Sequence, residues 1–392
     1  MEAKNVMETA DATVKLYYED SFQEKFTAAV LSCEKEKNGY RVILDQTAFF
    51  PEGGGQAGDT GFLNGIRVED TQECRGVIWH LVQEPLQPGM IVEGVLDFEQ
   101  RFIRMQQHTG EHIISGIVHR LYGYDNVGFH LGDEVTTLDF NGELTKEQVE
   151  ETERLANQAV FQNLPVEILY PSKEELMQMD YRSKIEIEGQ VRIVNIPGVD
   201  QCACCAPHTR YTGQIGLIKI LSCDRHRGGC RMVMVSGIRA LSDYRIKEKS
   251  VNEVSIALSA KPEKIGEAVE HLKEQQNRLR MQLNRMQEIY LKERLDEIRP
   301  SDSYVCIFEE EMDSVAVRNF VNEAMERCDG ICAAFVGTDA SGYRYILGSS
   351  QKAAREAAKK LHDRFGGKGG GKPEMVQGFL QGTQAEIEEA LR

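Results

Sequence analysis

Short runs of residues 12–98 alternate between apolar and polar positions. Turn formers such as Asn38-Gly39, Asn64-Gly65 and Gln87-Pro88-Gly89 separate these runs. Because alternation places successive side chains on opposite faces of a strand, the pattern predicts an all-β unit, a small β-barrel over residues 1–98. The predicted strands are Thr13–Tyr18, Phe26–Cys33, Tyr40–Asp45, Val77–Val82 and Ile91–Phe98.

Helical spacing replaces the alternation after Asp97. Apolar side chains recur at steps of three and four, and Gly123 then suits a left-handed helix end. These side chains are Ile113, Ile114, Ile117, Val118 and Leu121. The pattern predicts an amphipathic helix that carries His108 and His112 near its start.

Further helices and strands are predicted within residues 99–245. Two pairs of residues have the spacing of a capping box, which predicts the start of a helix. The pairs are Thr145 with Gln148 and Ser172 with Glu175. The predicted strands are Val191–Ile196, Gly213–Leu221 and Met232–Ser236.

The carboxy-terminal part begins with a long helical pattern from Pro262 to about Ile298. Its apolar residues are Ile265, Val269, Leu272, Leu279, Leu283, Met286 and Tyr290. Their steps of three and four predict an antiparallel hairpin arm or coiled-coil linker over residues 246–299, and the same seam allows a homodimer. After Pro300, alternating strand and helix patterns predict an α/β domain over residues 300–392, which could also dimerise. The predicted fold class is therefore α+β with several domains.

Composition limits the partners and the compartment. A chain of 392 residues is long enough for about two to four domains. The formal charge of -16 argues against binding nucleic acid over the whole surface, so a polyanion would need a local basic patch. The ten cysteines come without a leader or a long apolar run, so we expect a cytoplasmic protein without membrane contact, whose clustered cysteines bind metal.

Two distant stretches contain residues suited to one metal ion. His108 and His112 are four residues apart, so a helix presents both imidazoles on one face. Cys204 and His208 have the same spacing and can approach from a turn. Three imidazoles and a thiolate suit zinc and poorly suit magnesium or calcium. A rival site of lower rank would join Cys223, His226 and Cys230 to Cys202 or Cys205.

A run of three glycines, Gly53-Gly54-Gly55, follows the apolar pair Phe49-Phe50. Without side chains, this backbone can approach a ligand closely. Glycines alone would favour a flexible loop. The neighbouring Phe49, Phe50, Glu52 and Gln56 favour the wall of a pocket.

Two basic stretches are candidates for binding phosphates. The first is the hairpin that carries Arg227 and Arg231, although an ordinary solvated turn is an alternative. The second is the glycine-rich stretch 366–373 with Lys368 and Lys372. It resembles a phosphate loop, but Pro373 stands where the magnesium-binding Ser or Thr belongs, so it suits a sugar-phosphate backbone better than nucleotide hydrolysis. A glycine linker is the alternative.

Several of these motifs occur together in a known family. They are PEGGGQAGDTG, QHTGEH, VGFHLG, the D-x-C-x-C-x-x-x-H stretch from Asp200, TGQIGLIKI from Thr212 and the glycine-rich carboxy-terminal domain. In this combination the chain resembles the alanyl-tRNA editing proteins of the AlaX type, which are similar to the editing portion of alanyl-tRNA synthetase. The tail resembles the DHHA1 domain, so the resemblance is to the long form of the family.

The resemblance implies a hydrolase that removes serine, and also glycine, from mischarged tRNA(Ala). The family motif also implies that the zinc ligands of this chain are His108, His112, Cys204 and His208. One departure stands out, because the family often has Cys-Gly-Gly-Thr-His where this chain has Cys204-Cys205-Ala206-Pro207-His208. The spacing of the ligands is kept, whereas the contacts of the turn with the amino acid are expected to differ.

The chemistry of ester hydrolysis suggests roles for further residues, with structural hydrogen bonding as the alternative for the polar side chains. Gln56, Glu52 and His130 are the candidates for catalytic polar contacts. The candidates for substrate binding are Gly54, Gly55, Thr109 and Thr212, and those for tRNA binding are Arg227, Arg231, Lys368 and Lys372. The alternatives are a non-catalytic tRNA-binding protein with a structural zinc ion and a zinc hydrolase of another ester or amide.

Overall fold

The alternating amino-terminal segments form a closed barrel in the computed structural model, which describes residues 12–183 and 190–392. The strands of this part are β1 (Val14–Lys15), β2 (Lys25–Glu36), β3 (Gly39–Leu44), β4 (Gln46–Thr47), β5 (Gly61–Leu63), β6 (Ile66–Cys74), β7 (Val77–Val82) and β8 (Ile91–Leu96). Six of them close the barrel in the order β2-β3-β7-β6-β5-β8, while β1 pairs with β4. This is the barrel that the alternation predicted.

The structure differs from the prediction at two places in the barrel. Only Val14–Lys15 is a strand, because Leu16–Glu19 forms the short helix α1, which buries Tyr17 against Phe50. Strands β5 and β6 were not predicted. Strand β6 carries the charged residues Arg67, Glu69 and Asp70, which hide its alternation.

The second part of the first unit contains the helix with the histidines and two sheets. Its elements are α2 (Phe98–Tyr122), β9 (Asn126–Leu131), β10 (Thr136–Phe140), α3 (Lys146–Phe161), β11 (Glu167–Leu169), α4 (Lys173–Leu176), β12 (Ile193–Ile196), β13 (Asp200–Ala203), β14 (Ile218–His226), β15 (Gly229–Ser236) and α5 (Gly237–Leu258). The sheets have the strand orders β14-β15-β10-β9 and β11-β12-β13. Both predicted capping boxes are present, at the starts of α3 and α4.

Helix α2 is the central element of this part. Its apolar residues Ile113, Ile114 and Ile117 pack in one core with residues from β10, α3 and β15. It ends at Gly123, whose φ of 69° is left-handed, as predicted. The strand predicted at Gly213–Leu221 begins only at Ile218, because Thr212–Ile215 forms a 3-10 turn.

A second compact unit begins at Val251, after the first ends at Ser250. Its elements are α6 (Ile265–Asp296), β16 (Tyr304–Glu309), α7 (Ser314–Arg327), β17 (Ile331–Thr338), β18 (Gly342–Gly348), α8 (Ala354–Phe365), β19 (Gly367–Gly371), β20 (Met375–Leu380) and α9 (Gln384–Leu391). The strands form one sheet in the order β16-β17-β18-β20-β19. The glycine-rich stretch is thus an edge strand, because its backbone pairs with β20.

Helix α6 covers most of the predicted helical segment. Its carboxy-terminal residues Leu291 and Leu295 are buried against α7, whereas Leu279, Leu283 and Met286 are each more than half exposed. The coiled-coil role of this helix stays a prediction. None of the described helices is long and apolar enough to cross a membrane.

Candidate functional site

Four potential metal ligands from two distant stretches meet in the first unit. His108 and His112 lie on α2, and Cys204 and His208 lie in the turn that follows β13, here called the thiolate turn (residues 204–208). All four donor atoms lie within 4.8 Å of one another. The Cys204 Sγ atom lies 3.5 Å from His108 Nε2 and 3.4 Å from His208 Nε2.

These separations fit a tetrahedral zinc site. With Zn–S and Zn–N bonds of about 2.3 and 2.05 Å, the S···N edge of a tetrahedron is about 3.5 Å. Three imidazoles and one thiolate are also a donor set that zinc prefers in proteins. The residues present therefore fit a zinc ion, and His108, His112, Cys204 and His208 are the side chains that would hold it.

The second ring nitrogen of each imidazole has its own partner. His108 Nδ1 lies 3.1 Å from Gln56 Oε1, and His112 Nδ1 lies 2.9 Å from Asp200 Oδ2. His208 Nδ1 lies 3.0 Å from Thr109 Oγ1. A hydrogen bond from Nδ1–H fixes the tautomer that leaves Nε2 free to bind a metal. Gln56 and Thr109, which the sequence suggested for catalysis and substrate binding, thus contact the rings of the potential ligands.

The shifted pKa values of two members of the cluster, Cys204 and His208, also suit a metal. Burial by itself would raise the pKa of Cys204, but the imidazoles of His108 and His208 outweigh it and bring this pKa well below its usual value. Burial lowers the pKa of His208 to about 3. A thiolate beside a neutral imidazole is the state that metal binding requires.

Asp200 and Arg182 support His112. Burial disfavours the charged His112 ring, but the hydrogen bond to Asp200, together with the nearby Cys202, Cys204 and Glu111, outweighs burial and raises the pKa of His112 well above its usual value. Arg182 binds Asp200 through two hydrogen bonds of 2.7 and 2.9 Å. Although burial alone would raise the pKa of Asp200, the hydrogen bonds from His112 and Arg182 lower it, so Asp200 remains a carboxylate.

Replacing Asp200 with asparagine is expected to weaken metal binding. The neutral amide replaces the negatively charged carboxylate that accepts the hydrogen bond from His112 Nδ1–H. Losing such a partner typically lowers metal affinity about 10- to 100-fold. Competition with a zinc chelator measures this affinity directly. The matched control is Asp125→Asn, because Asp125 pairs with His119 of the same helix at the exposed surface. Equal zinc affinities in the two variants would contradict a supporting role for Asp200.

Arg192 holds the backbone of the thiolate turn. Its Nη1 donates to the carbonyl oxygens of Cys204 at 2.7 Å and Ala206 at 3.1 Å. Ala206 is fully buried and packs in a small apolar cluster with Tyr17 and Phe50 of the barrel part. The alanine of this chain therefore serves as a packing residue that anchors the turn.

The three glycines form a tight turn beside the cluster, here called the glycine turn (residues 53–56). Gly53 and Gln56 exchange backbone hydrogen bonds of 3.0 and 3.1 Å, and Gly54 and Gly55 have φ values of 59° and 79°. A Cβ atom at Gly55 would lie 2.6 Å from Cδ1 of Phe129, so this position requires glycine. The Phe129 ring in turn lies 4.8 Å from the ring of His108.

Gln56 carries one buried polar atom that no other described residue binds. The residue is 1% exposed, and its Nε2 has no hydrogen-bond partner among the described residues. A buried amide N–H without a partner is costly, so such a group normally has a water molecule or a ligand beside it. The glycine turn therefore provides a donor beside the potential metal site.

A buried ion pair ties the segment after the glycine turn to α2. Arg101 Nε donates to Asp59 Oδ2 at 2.7 Å, and both side chains are nearly fully buried. Arg101 Nη2 also donates to the carbonyl oxygen of Ala48 at 2.6 Å, and the Phe50 N–H donates to Asp59 at 2.7 Å. The pair thus fixes the loop before β5 against the helix that carries His108 and His112.

The remaining predicted residues of the first unit have partners or neighbours outside the cluster. Glu52 accepts a hydrogen bond of 2.6 Å from Gln72, and His130 is exposed, with its ring beside Gly132. The Thr212 hydroxyl donates to the Ala159 carbonyl at 2.7 Å and accepts from the Leu164 N–H at 2.8 Å, so it stabilises the local backbone.

The candidate phosphate ligands lie on the surface. Arg227 is exposed at a turn, whereas Arg231 is bound by Asp139 through two hydrogen bonds of 2.7 Å. Lys368 and Lys372 are exposed in the second unit. The groups of potential metal ligands found among the described residues contain none of Cys223, His226 and Cys230, so the geometry does not support the rival metal site.

Sequence reasoning missed the roles of Arg101, Arg182, Arg192 and Asp200. Asp200 stands four residues before Cys204, the same spacing as the two histidines on α2, and this position was a usable signal. The three arginines are scattered along the chain and gave no sequence signal, because their partners are carbonyl and carboxylate groups that only folding brings near.

Comparison with known proteins matches three stretches of the chain to family profiles. Residues 1–100 match tRNA synthetases class II (A), residues 191–253 match the threonyl and alanyl tRNA synthetase second additional domain, and residues 301–392 match the DHHA1 domain. The potential ligands Cys204 and His208 fall within the second stretch. The chain is therefore assembled from domains related to those of aminoacyl-tRNA synthetases.

Relatives that match the chain along nearly its whole length identify a group of proteins to which it is similar in architecture. The alanyl-tRNA editing protein AlaX-L of Pyrococcus horikoshii is 29% identical over 95% of this chain and 96% of its own length. The alanine–tRNA ligase of Pyrococcus abyssi is 31% identical over 97% of this chain but only 43% of the ligase, so the chain spans less than half of such ligases. The chain is thus similar over nearly its whole length to a long-form AlaX editing protein, and it ends in a DHHA1 domain.

Proposed function

We propose that this protein deacylates mischarged tRNA(Ala), hydrolysing the ester that joins serine, or glycine, to the terminal ribose. One observation carries the proposal, namely the zinc-compatible cluster beside a glycine turn with an unpartnered amide donor. The name of the Pyrococcus horikoshii relative supports alanyl-tRNA editing as the activity.

An aminoacyl ester is already activated, so the site has only to hold the ester, supply water and stabilise the developing oxyanion. When bound, zinc would supply Lewis-acid chemistry and a positive charge next to the ester. Gln56 Oε1, Asp200 and Thr109 would hold the three rings in place. The N–H groups of Gly54 and Gly55, and Nε2 of Gln56, are the donors available for the oxyanion or the water.

Selectivity for serine over alanine has a physical basis. A site that hydrogen-bonds the serine hydroxyl leaves buried polar groups unpaired when alanine enters, and this discriminates strongly. The hydroxyls of Thr109 and Thr212 already have partners inside the protein, so the buried Gln56 amide is the better candidate for this contact.

The surface cations would hold the rest of the tRNA. Lys368, Lys372 and Arg227 are exposed and suit a sugar-phosphate backbone, whereas Arg231 would first have to leave Asp139. We also propose the division into a barrel domain (1–98), an editing domain (99–245), a helical linker (246–299) and a tRNA-binding domain (300–392). The exposed apolar residues of α6 support a homodimer through the linker.

Deacylation assays with Ser-tRNA(Ala), Gly-tRNA(Ala) and Ala-tRNA(Ala) test the proposal. Release of serine and glycine with alanine spared, and loss of this activity after zinc removal, is the expected result. Tight tRNA binding without release of any amino acid would instead support a binding protein with a structural zinc ion. If the protein neither binds tRNA nor releases an amino acid from it, but hydrolyses a small ester, a zinc hydrolase of another ester or amide would be supported.

A further inference from the structure

The cluster of potential metal ligands is least enclosed at Cys204, and this side of the cluster is here called the opening. The three histidines are buried, whereas Cys204 is only half-buried. The next residue, Cys205, is exposed, and its Sγ lies 3.5 Å from the position that a Cβ atom would take at Gly54. The thiolate turn and the glycine turn therefore face each other at the opening.

The ring of Phe129 bounds the other side of this opening. It lies against His108 and against the backbone of Gly55. The glycine turn, the Cys205 side chain and the Phe129 ring therefore lie together beside the cluster. The unpartnered Gln56 amide, which belongs to the same turn, is an independent sign that a polar ligand enters here.

We propose that Cys205 determines specificity, because its side chain limits the size of the amino acid that the opening accepts. The proposal rests on the proposed function and concerns the side chain of the esterified amino acid. Cys205 places a CH2–SH group beside the bare backbone of Gly54. The thiol would form a wall beside the serine side chain and exclude branched or longer ones.

Two substitutions should change the specificity in opposite directions. Cys205→Gly removes the wall, so the affinity for a threonyl ligand relative to a seryl ligand should rise by about 10-fold or more, the usual effect of one extra methyl group in a fitted pocket. Cys205→Met fills the opening, so it should weaken seryl binding by a similar factor and glycyl binding less. Misfolding cannot produce opposite changes of this kind.

Binding is measured with adenosine analogues that carry a seryl, threonyl or glycyl group on a 3'-amide, which resists hydrolysis. Calorimetry on the zinc-loaded full chain gives the dissociation constants. Cys74→Ser is the matched control, because Cys74 is also exposed but lies at the end of β6 in the barrel, and its three constants should equal those of the wild type. An unchanged seryl-to-threonyl ratio in Cys205→Gly together with an unchanged seryl-to-glycyl ratio in Cys205→Met, or no binding of any analogue to the wild type, would overturn the proposal.

The same preparations separate this proposal from the proposed function. If the analogues bind with the expected ratios but Ser-tRNA(Ala) is not hydrolysed, the role of Cys205 stands and the hydrolysis is refuted. If Ser-tRNA(Ala) is hydrolysed and the ratios do not respond to position 205, the hydrolysis stands and the role of Cys205 is refuted.

Discussion

His108→Ala is expected to lose both bound zinc and deacylation activity. The substitution removes one of four potential ligands and leaves Gln56 without its partner. Losing a ligand costs more than losing its supporting hydrogen bond, so zinc affinity should fall by more than about 100-fold. Metal analysis of the purified protein and release of serine from Ser-tRNA(Ala) measure the two effects.

His119→Ala is the matched control for this prediction. His119 lies on the same helix, but its side chain is exposed and pairs with Asp125. It should keep the zinc content and the activity of the wild type. A His108→Ala protein with full zinc content and normal turnover would refute the metal site and the catalytic role together.

Arg101→Met is expected to lower the free energy of unfolding more than any other substitution considered for this protein. Methionine keeps much of the apolar stem but leaves the Asp59 carboxylate buried without its main cation. Breaking a buried ion pair in this way typically lowers the free energy of unfolding by about 3–5 kcal/mol. Trp79, the only tryptophan of the chain, lies in β7, so its fluorescence during urea unfolding reports on the barrel.

Arg154→Met provides the comparison for Arg101. Arg154 also pairs with a carboxylate, but its side chain is 60% exposed on α3, where solvent screens the interaction. Its unfolding midpoint should equal that of the wild type. If Arg101→Met also left the midpoint unchanged, the ion pair would not hold the loop against α2.

Sequence patterns predicted elements where local rules dominate. The barrel strands β2, β3, β7 and β8, the capping boxes at Thr145 and Ser172, and the end of α2 at Gly123 all follow from alternation, capping and glycine conformation. The short helix α1 and the glycine strand β19 do not. They form because Tyr17 packs in a cluster with Phe50, and because β20 offers a partner for the bare backbone.

Sequence by itself determined which side chains could bind a metal and with what spacing, because helix periodicity and donor chemistry are local properties. Only the tertiary structure decided that the two stretches meet, and that Gln56, Asp200 and Thr109 hold the three imidazoles. It also showed that the Thr212 hydroxyl bonds to backbone groups of Ala159 and Leu164. Contacts between residues far apart along the chain depend on how the barrel, α2 and the thiolate turn pack, and no local pattern encodes that packing.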